Sequence, residues 1–343
     1  MPRPYPAFVR TLAKENGLVL VGIDTLTVRR EPRGKGFCYR RENGKTVRDP
    51  GELARLKSLA MPPAYVDVRY ATDAAAHLQA IGTDAAGRLQ YRYHPKWTEV
   101  REALKARRLG RLARSLPDIK RAVAKGLACE DCTADFTIAA IVHLVDLTAI
   151  RAGGESYAKE RGTRGATTLL KSNVKVRDRE VLLQFKAKGG KPVSKEVKDA
   201  RLAAALTRLL ALPGRRLFQY RSPDGTLRNV RAGDVNTFLR TVTGRRISLK
   251  DFRTLVGSAG VLEALTAIPA GVSQRARRSQ LRDAVIDVAE ELANTPTVSR
   301  KSYVHAAVVA AFEDGTLARI RKAPRSAIKK AELLARLVAR QVP

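Results

Sequence analysis

The sequence predicts an α+β chain in two parts. A small β-rich N-terminal domain, residues 1–97, precedes a larger, mainly α-helical domain, residues 98–343, that carries a small antiparallel sheet. Three observations predict it. The chain has 343 residues, more than one hydrophobic core usually organises. Its apolar pattern changes at His94-Pro95-Lys96-Trp97 from short alternating runs to long amphipathic ones. Strand-like runs joined by tight turns then return once, between residues 174 and 198.

In the first part, residues 17–22 read as a strand, and residues 37–41 and 45–48 flank Asn43-Gly44, a preferred hairpin dipeptide. Residues 52–60 read as a helix closed by Pro62-Pro63. Residues 77–82 and 88–93 flank an Asp84–Gly87 turn and form a second hairpin. In its last strand Leu89, Tyr91 and Tyr93 alternate with Gln90 and Arg92. A plain half-buried strand is the commoner reading. A DNA-facing ribbon is the other, since Gln and Arg read base edges and tyrosine hydroxyls bond phosphates.

In the second part, helices are expected over 98–115 and from Leu116-Pro117 to Gly126, then over 133–148 with a stop at Gly153-Gly154. Residues 174–177, 181–185 and the stretch after Pro192 form the small sheet, with Lys188 at the tip of its second turn. Helices follow at 198–212, 232–241 and 283–292, with a segment 248–253 between the last two. Residues 296–313 read as one helix, Pro296 at its first position after a Thr295 cap, and residues 327–340 as a basic amphipathic one.

Lys and Arg number 65 against 33 Asp and Glu, a formal charge of +32 spread along the whole chain. Such a field calls for a polyanion, and nucleic acid is the first candidate. A membrane is not favoured, because no window approaches the apolar length of a spanning helix. The run MPRPYPAFVR lacks the apolar core of a signal peptide, so a soluble cytoplasmic protein is expected. Cys38, Cys129 and Cys132 make no disulfide framework. Cys129 and Cys132 have zinc-knuckle spacing, but no second pair follows, and no phosphate loop or dinucleotide fingerprint is present. No metal and no cofactor is expected.

Ser299-Arg300-Lys301-Ser302-Tyr303-Val304-His305 places a tyrosine among cations. Most helical tyrosines do no chemistry. A tyrosine that attacked a phosphodiester would need cations on the two non-bridging oxygens and a proton donor for the leaving alkoxide. Arginine suits the first task because its planar fork keeps its charge; lysine suits the second because nearby cations lower its pKa. Arg151, Lys188, Arg253 and Asn294 stand at predicted element ends and could converge on Tyr303. Composition and periodicity alone do not select them from the other basic residues.

From about residue 20 to the C-terminal helix, the chain resembles the type IB DNA topoisomerases of the short bacterial and poxvirus kind. Gly34-Lys-Gly-Phe-Cys-Tyr39, Leu59-Ala-Met-Pro-Pro-Ala64, His77-Leu-Gln-Ala-Ile-Gly-Thr-Asp-Ala85 and Gly87-Arg-Leu-Gln-Tyr-Arg-Tyr-His-Pro95 are similar to that family's N-terminal domain and hinge. Leu147-Thr-Ala-Ile-Arg151-Ala-Gly-Gly-Glu-Ser-Tyr157 and Gly165-Ala-Thr-Thr-Leu169 resemble its first arginine box. Phe185-Lys-Ala-Lys188-Gly-Gly-Lys191 resembles its lysine hairpin, and Lys250-Asp-Phe-Arg253-Thr254 its second arginine box. Asn294-Thr-Pro-Thr-Val-Ser-Arg-Lys-Ser-Tyr303-Val-His305 resembles its nucleophile box.

The resemblance implies a catalytic fold shared with tyrosine recombinases, a clamp around duplex DNA, and a monomer that is nucleoid-associated and needs no obligate protein partner. It implies Tyr303 as the nucleophile in a 3′-phosphotyrosyl mechanism, with Arg151, Arg253 and Asn294 on the phosphate and Lys188 as the acid. It implies DNA contacts by Gln90, Tyr91 and Tyr93, and Lys250 close to the reacting phosphate. Four positions depart from the pattern: Ala187 replaces a glycine, Gly154 an asparagine, Asn294 the histidine of many relatives, and Ser258 an asparagine. The neighbouring classes fit less well. Tyrosine recombinases usually carry HxxR where this chain has Lys250 to Arg253, and Leu-Gly-His where it has Leu292-Ala293-Asn294. A non-catalytic DNA binder leaves the five spaced residues unexplained, and an RNA binder would show an aromatic RNP-like run.

Overall fold

The computed structural model describes residues 5–320, 323–324 and 326–339. Its contacts divide the chain into a unit ending at Leu104 and a unit beginning at Lys105.

The first unit contains α1 (Ala7–Glu15), β1 (Val28–Arg33), β2 (Gly36–Arg40), α2 (Pro50–Ser58), β3 (Val66–Tyr70), β4 (Leu78–Thr83) and β5 (Leu89–Tyr93). The five strands form one sheet in the order β2-β1-β3-β4-β5. Each neighbouring pair is antiparallel. Val28, Tyr39, Val68, Tyr70 and Ala80 pack with Leu56 of α2, while Leu26, Leu78 and Ile81 form a second cluster. Asp49 caps α2 by accepting from the Glu52 N–H, and Pro50 takes the first turn, where no N–H is needed. Two buried-side arginines pin the loops. Arg30 donates to the carbonyls of Met61 (2.8 Å) and Tyr65 (2.7 Å), which fixes the Pro62-Pro63 turn. Arg55 donates to Gln79 Oε1 (2.8 Å) and the Ala71 carbonyl (2.9 Å).

The hairpin over 77–93 forms as predicted, but two other strand expectations change. Residues 17–22 contribute a single bridge, Val19 to Ala76, and residues 45–48 contribute only Thr46 to Arg40. The partner of β2 is β1, whose sequence VRREPR is charged and lacks apolar alternation. Its pairing is decided by the short turn at Gly34 rather than by hydrophobic pattern. The alternation in β5 also fails to mark a buried face, since Leu89, Tyr91 and Tyr93 all remain exposed.

Helix α3 (Trp97–Leu127) runs unbroken through Pro117, where two helices are expected from sequence. Proline removes one backbone donor there. The continuous buried seam of Leu109, Leu112, Leu116, Ile119 and Val123 outweighs that loss. The second unit continues with α4 (Ala134–Thr148), α5 (Glu155–Arg161), β6 (Val174–Arg177), β7 (Glu180–Lys186), β8 (Pro192–Lys198), α6 (Ala200–Ala211), β9 (Gln219–Arg221), β10 (Leu227–Asn229), α7 (Ala232–Thr243), α8 (Leu249–Thr266), α9 (Gln274–Glu291), α10 (Pro296–Ser302), α11 (Ala306–Glu313) and α12 (Ala327–Ala339). β6, β7 and β8 form the predicted three-stranded antiparallel sheet, and β9 pairs with β10. Apolar faces of α4, α6, α8 and α11 share one core. Arg340, at the end of the last predicted helix, lies outside the described residues.

Two departures bear on the site. Helix α4 stops at Ala149, in a left-handed conformation (φ 50°), not at Gly153-Gly154; Gly154 instead precedes α5. The predicted helix over 296–313 is broken, and Tyr303 sits in the break between α10 and α11.

Candidate active site

Arg151 emerges from the α4 terminus on a segment locked by backbone contacts. The Arg151 carbonyl accepts from the Ala166 N–H and the Ala152 carbonyl from the Thr167 N–H, both at 2.8 Å. The two chains approach so closely that a Cβ on Gly165 would lie 2.5 Å from the Arg151 oxygen and from the Gly153 nitrogen. Only glycine fits there, which gives the Gly165-to-Leu169 motif a structural reason.

Arg253 lies in the first turns of α8. Ser248 caps that helix reciprocally with Asp251, whose carboxylate accepts from the Ser248 N–H (2.8 Å). Arg253 is 3 % exposed. It donates to the Ala149 carbonyl at the end of α4 and, at 2.9 Å, to the Leu292 carbonyl at the end of α9. One side chain thus ties the segments that deliver Arg151 and Asn294.

Asn294 follows Ala293, which is left-handed (φ 48°), and its N–H donates to the Ala289 carbonyl (2.8 Å). Thr295 then caps α10 by accepting from the Val298 N–H (3.3 Å), with Pro296 in the first turn. Arg151 donates to Asn294 Oδ1. That contact commits the amide oxygen and leaves Nδ2 as a donor. Both Asn294 Nδ2 and Arg253 Nε are buried without a hydrogen-bond partner among the described residues.

Tyr303 is 8 % exposed, and the Arg253 guanidinium carbon stands 4.7 Å from its ring centroid. The break that carries it is held by Ser258 of α8. The Ser258 hydroxyl donates to the Tyr303 carbonyl and accepts from the His305 N–H, each at 3.0 Å. His305 then caps α11, its Nδ1 accepting from the Ala307 N–H (3.0 Å). Ser258, the departure from the family's asparagine, therefore supplies both bonds that interrupt the helix. Gly257 beside it allows the approach, since a Cβ there would meet the Tyr303 oxygen at 2.9 Å.

Burial pushes the Tyr303 phenol up, but the positive charges of Arg253, Arg151 and Lys250 outweigh it and draw the phenol below its ordinary value. Burial likewise lowers Arg253, partly offset by Tyr303.

The structure brings Arg151, Arg253, Asn294 and Tyr303 together, with Lys250 near enough to influence the phenol. Lys188 stays apart. It is exposed at the tip between β7 and β8, and no hydrogen bond or ion pair joins it to these residues. Ala187 is extended there (φ −90°, ψ −175°), and freedom at the tip comes from Gly189 and Gly190, both with positive φ. Lys191 at the base of the turn does reach the site, donating to the Asn294 carbonyl (3.2 Å). Lys195 of β8 is lowered by burial and by Arg253, against Glu291. Sequence reasoning assigned no role to Lys191, Lys195 or Ser258, and named Ser258 only as a departure from the family's pattern. The α8 spacing could have flagged Ser258 as buried, but nothing local separates the two lysines from their neighbours.

In the first unit, Gln90 donates to Asp84 Oδ2 (2.9 Å), which orients it on the edge strand. Tyr91 and Tyr93 stack with centroids 6.1 Å apart, and Tyr93 stacks on Trp97 at 6.3 Å.

A basic chain whose buried tyrosine lies near two arginines, one of them bonded to an asparagine amide, has the equipment of a phosphodiester transferase. Comparison with known proteins identifies which. Residues 94–331, more than half of the chain, match the family described as eukaryotic DNA topoisomerase I, catalytic core. Residues 36–84 match the bacterial DNA topoisomerase IB N-terminal domain. The chain is 29 % identical over 282 residues to DNA topoisomerase 1B of Acanthamoeba polyphaga mimivirus, covering 80 % of this chain and 84 % of that protein. The chain belongs to the type IB DNA topoisomerases. No helix among the described residues is long and apolar enough to cross a membrane.

Proposed function

We propose that the chain relaxes supercoiled duplex DNA by transient cleavage of one strand, with Tyr303 as the nucleophile. The phenolic oxygen attacks a backbone phosphorus and loses its proton to water. A bond from Tyr303 to phosphorus forms while the bond to the 5′-oxygen breaks. Lys188 gives its proton to that oxygen, leaving a 5′-hydroxyl and a 3′-phosphotyrosyl link. The nicked strand swivels, and the 5′-hydroxyl then attacks the link and restores the strand. Because the link conserves the phosphodiester's energy, the cycle calls for neither ATP nor metal.

Arg151, Arg253 and Asn294 hold the non-bridging oxygens. The observation that carries this reading is the pair of buried donors unpartnered among the described residues: Arg253 Nε, whose guanidinium lies over the Tyr303 ring, and Asn294 Nδ2, whose amide oxygen is held by Arg151. A buried donor without an acceptor is costly, and a phosphate oxygen supplies the acceptor. Residues 1–97 would lay Gln90, Tyr91 and Tyr93 on a groove of the duplex while residues 98–343 hold its other side as a monomeric clamp. Lys250 would add charge beside the reacting phosphate. The test is relaxation of supercoiled plasmid in EDTA without ATP, with detergent trapping of the covalent complex. Relaxation and protein on a 3′ end are expected. Binding without relaxation, or attachment to a 5′ end, would overturn the reading.

A further inference from the structure

Helix α9 is charged against its own dipole. Its first turns carry Arg275, Arg277 and Arg278, with Arg282 one turn on, and its last turn carries Glu290 and Glu291. Cations weaken a helix at its N-terminus and anions weaken it at its C-terminus. Arg277 has a structural use, donating to the carbonyls of Gly271 and Glu313, both at 2.8 Å. Arg275 and Arg278 make no hydrogen bond or ion pair among the described residues. Among the described residues Arg282 reaches only Ser279 (2.9 Å) and, at 3.5 Å, the exposed Asp283. The spacing 275, 278, 282 puts these three on one face, where with Gln274 and Ser279 they line an open groove. A local charge pattern that opposes the fold and has no partner within it is expected where a ligand supplies the counter-charge.

From this we infer that Arg275, Arg278 and Arg282 form a rail for the phosphate backbone of the duplex being cleaved, away from the reacting phosphate. The inference rests on the DNA-cleaving function proposed above. Continuity with the site favours the same duplex as the occupant. The other end of α9 is the Leu292 carbonyl that holds Arg253, and Asn294 follows it. Arg278 and Leu292 are separated by about 21 Å of helix at 1.5 Å per residue. Measured along B-DNA, that span is about six base pairs at 3.4 Å each. The rail would therefore engage only duplexes that extend past the cleavage site.

The test compares the full chain with R275Q/R278Q/R282Q on short duplexes centred on a cleavage site and on duplexes extended on either side. Glutamine keeps helix propensity and removes the misplaced charges. On the short duplex both proteins are expected to form covalent complex equally. Extension should tighten binding of the wild type and not of the variant, whose slope of log affinity against log salt falls by roughly 2–3. The variant's melting temperature should equal or exceed that of the wild type. An unchanged extension gain and salt slope would overturn the inference, and so would a lower melting temperature, which assigns the arginines to the fold. If a second, separate duplex rather than extension produces the gain, the occupant is wrong. Failure of the wild type to form covalent complex would instead overturn the proposed cleavage function, leaving the binding comparison intact.

Discussion

In the proposed mechanism Arg253 and Lys188 serve the same phosphate, from surroundings that differ in kind. Arg253 is buried, and both its terminal nitrogens are held by carbonyls at the ends of α4 and α9. Lys188 is exposed on a turn whose next two residues are glycines with positive φ. A cation that stabilises charge throughout the reaction works best fixed in advance, since no reorganisation is then needed at the moment of bond exchange. A proton donor must meet one particular oxygen, so a mobile carrier that docks with the substrate can serve. On the proposed mechanism, the buried half of the site is preorganised and the hairpin half is delivered.

Tyr303→Phe gives the largest effect. Relaxation should vanish, while DNA binding stays within about twofold, because the ring beneath Arg253 is retained and only the attacking oxygen is lost. Residual relaxation by this variant would remove Tyr303 from its role. The contrast between fixed and delivered groups is tested next by Lys188→Ala and Arg253→Ala. Losing a general acid slows cleavage by about 10²–10⁴-fold. Losing a preorganised charge donor costs about 10²–10³-fold. A 5′-phosphorothiolate, whose thiolate leaves without a proton, should rescue Lys188→Ala and leave Arg253→Ala slow. Equal rescue of both, or of neither, would erase the distinction.

Ser258→Ala probes how rigidly the nucleophile is held. It removes both hydrogen bonds that interrupt the helix at Tyr303 and leaves a buried N–H and carbonyl without partners. A loss of about 1–3 kcal/mol in unfolding free energy is expected for each orphaned group at most. Cleavage should fall further than stability alone explains, up to about 10²-fold if the phenol moves by 1 Å. Denaturant unfolding and single-turnover cleavage, measured together, separate the two. Wild-type cleavage in a clearly destabilised variant would show that the break itself does not position Tyr303.

The elements with strong local signals were legible: the 77–93 hairpin, the body of α4, and the β6-β7-β8 sheet. What was not legible depended on tertiary partners. The break at Tyr303 has no glycine or proline to announce it and exists because a serine from α8 takes its hydrogen bonds. The continuity of α3 runs against Pro117 and is explained by a packed seam. In the site, the resemblance singled out residues that chemistry alone could not choose among many cations, and the structure brings four of those five together. Lys191 was invisible because its contact is with the backbone carbonyl of a residue 103 positions away.

The smallest expected effect concerns pH. The cations beside Tyr303 hold its folded-state pKa below the ordinary phenol value despite burial. Asn294 stands where many relatives carry a titrating histidine, so that position adds no step of its own. Single-turnover cleavage should therefore rise with pH along one limb and level off below about 10, the pKa of a free phenol. Stability carries the matching signature. Below the folded-state value Tyr303 is protonated in folded and unfolded chains alike and its ionisation contributes nothing. As pH passes the folded-state value, the unfolded chain binds the extra proton, so stability contributed by Tyr303 rises and is complete above the unfolded value. The measurement is the difference in unfolding free energy between wild type and Tyr303→Phe across that window, with Arg253→Gln as the control. The difference should grow with pH in the wild-type background and shrink when Arg253 is neutralised. A pH-independent difference would show that Arg253 leaves the phenol untouched, so that the fixed half of the site acts on the phosphate alone.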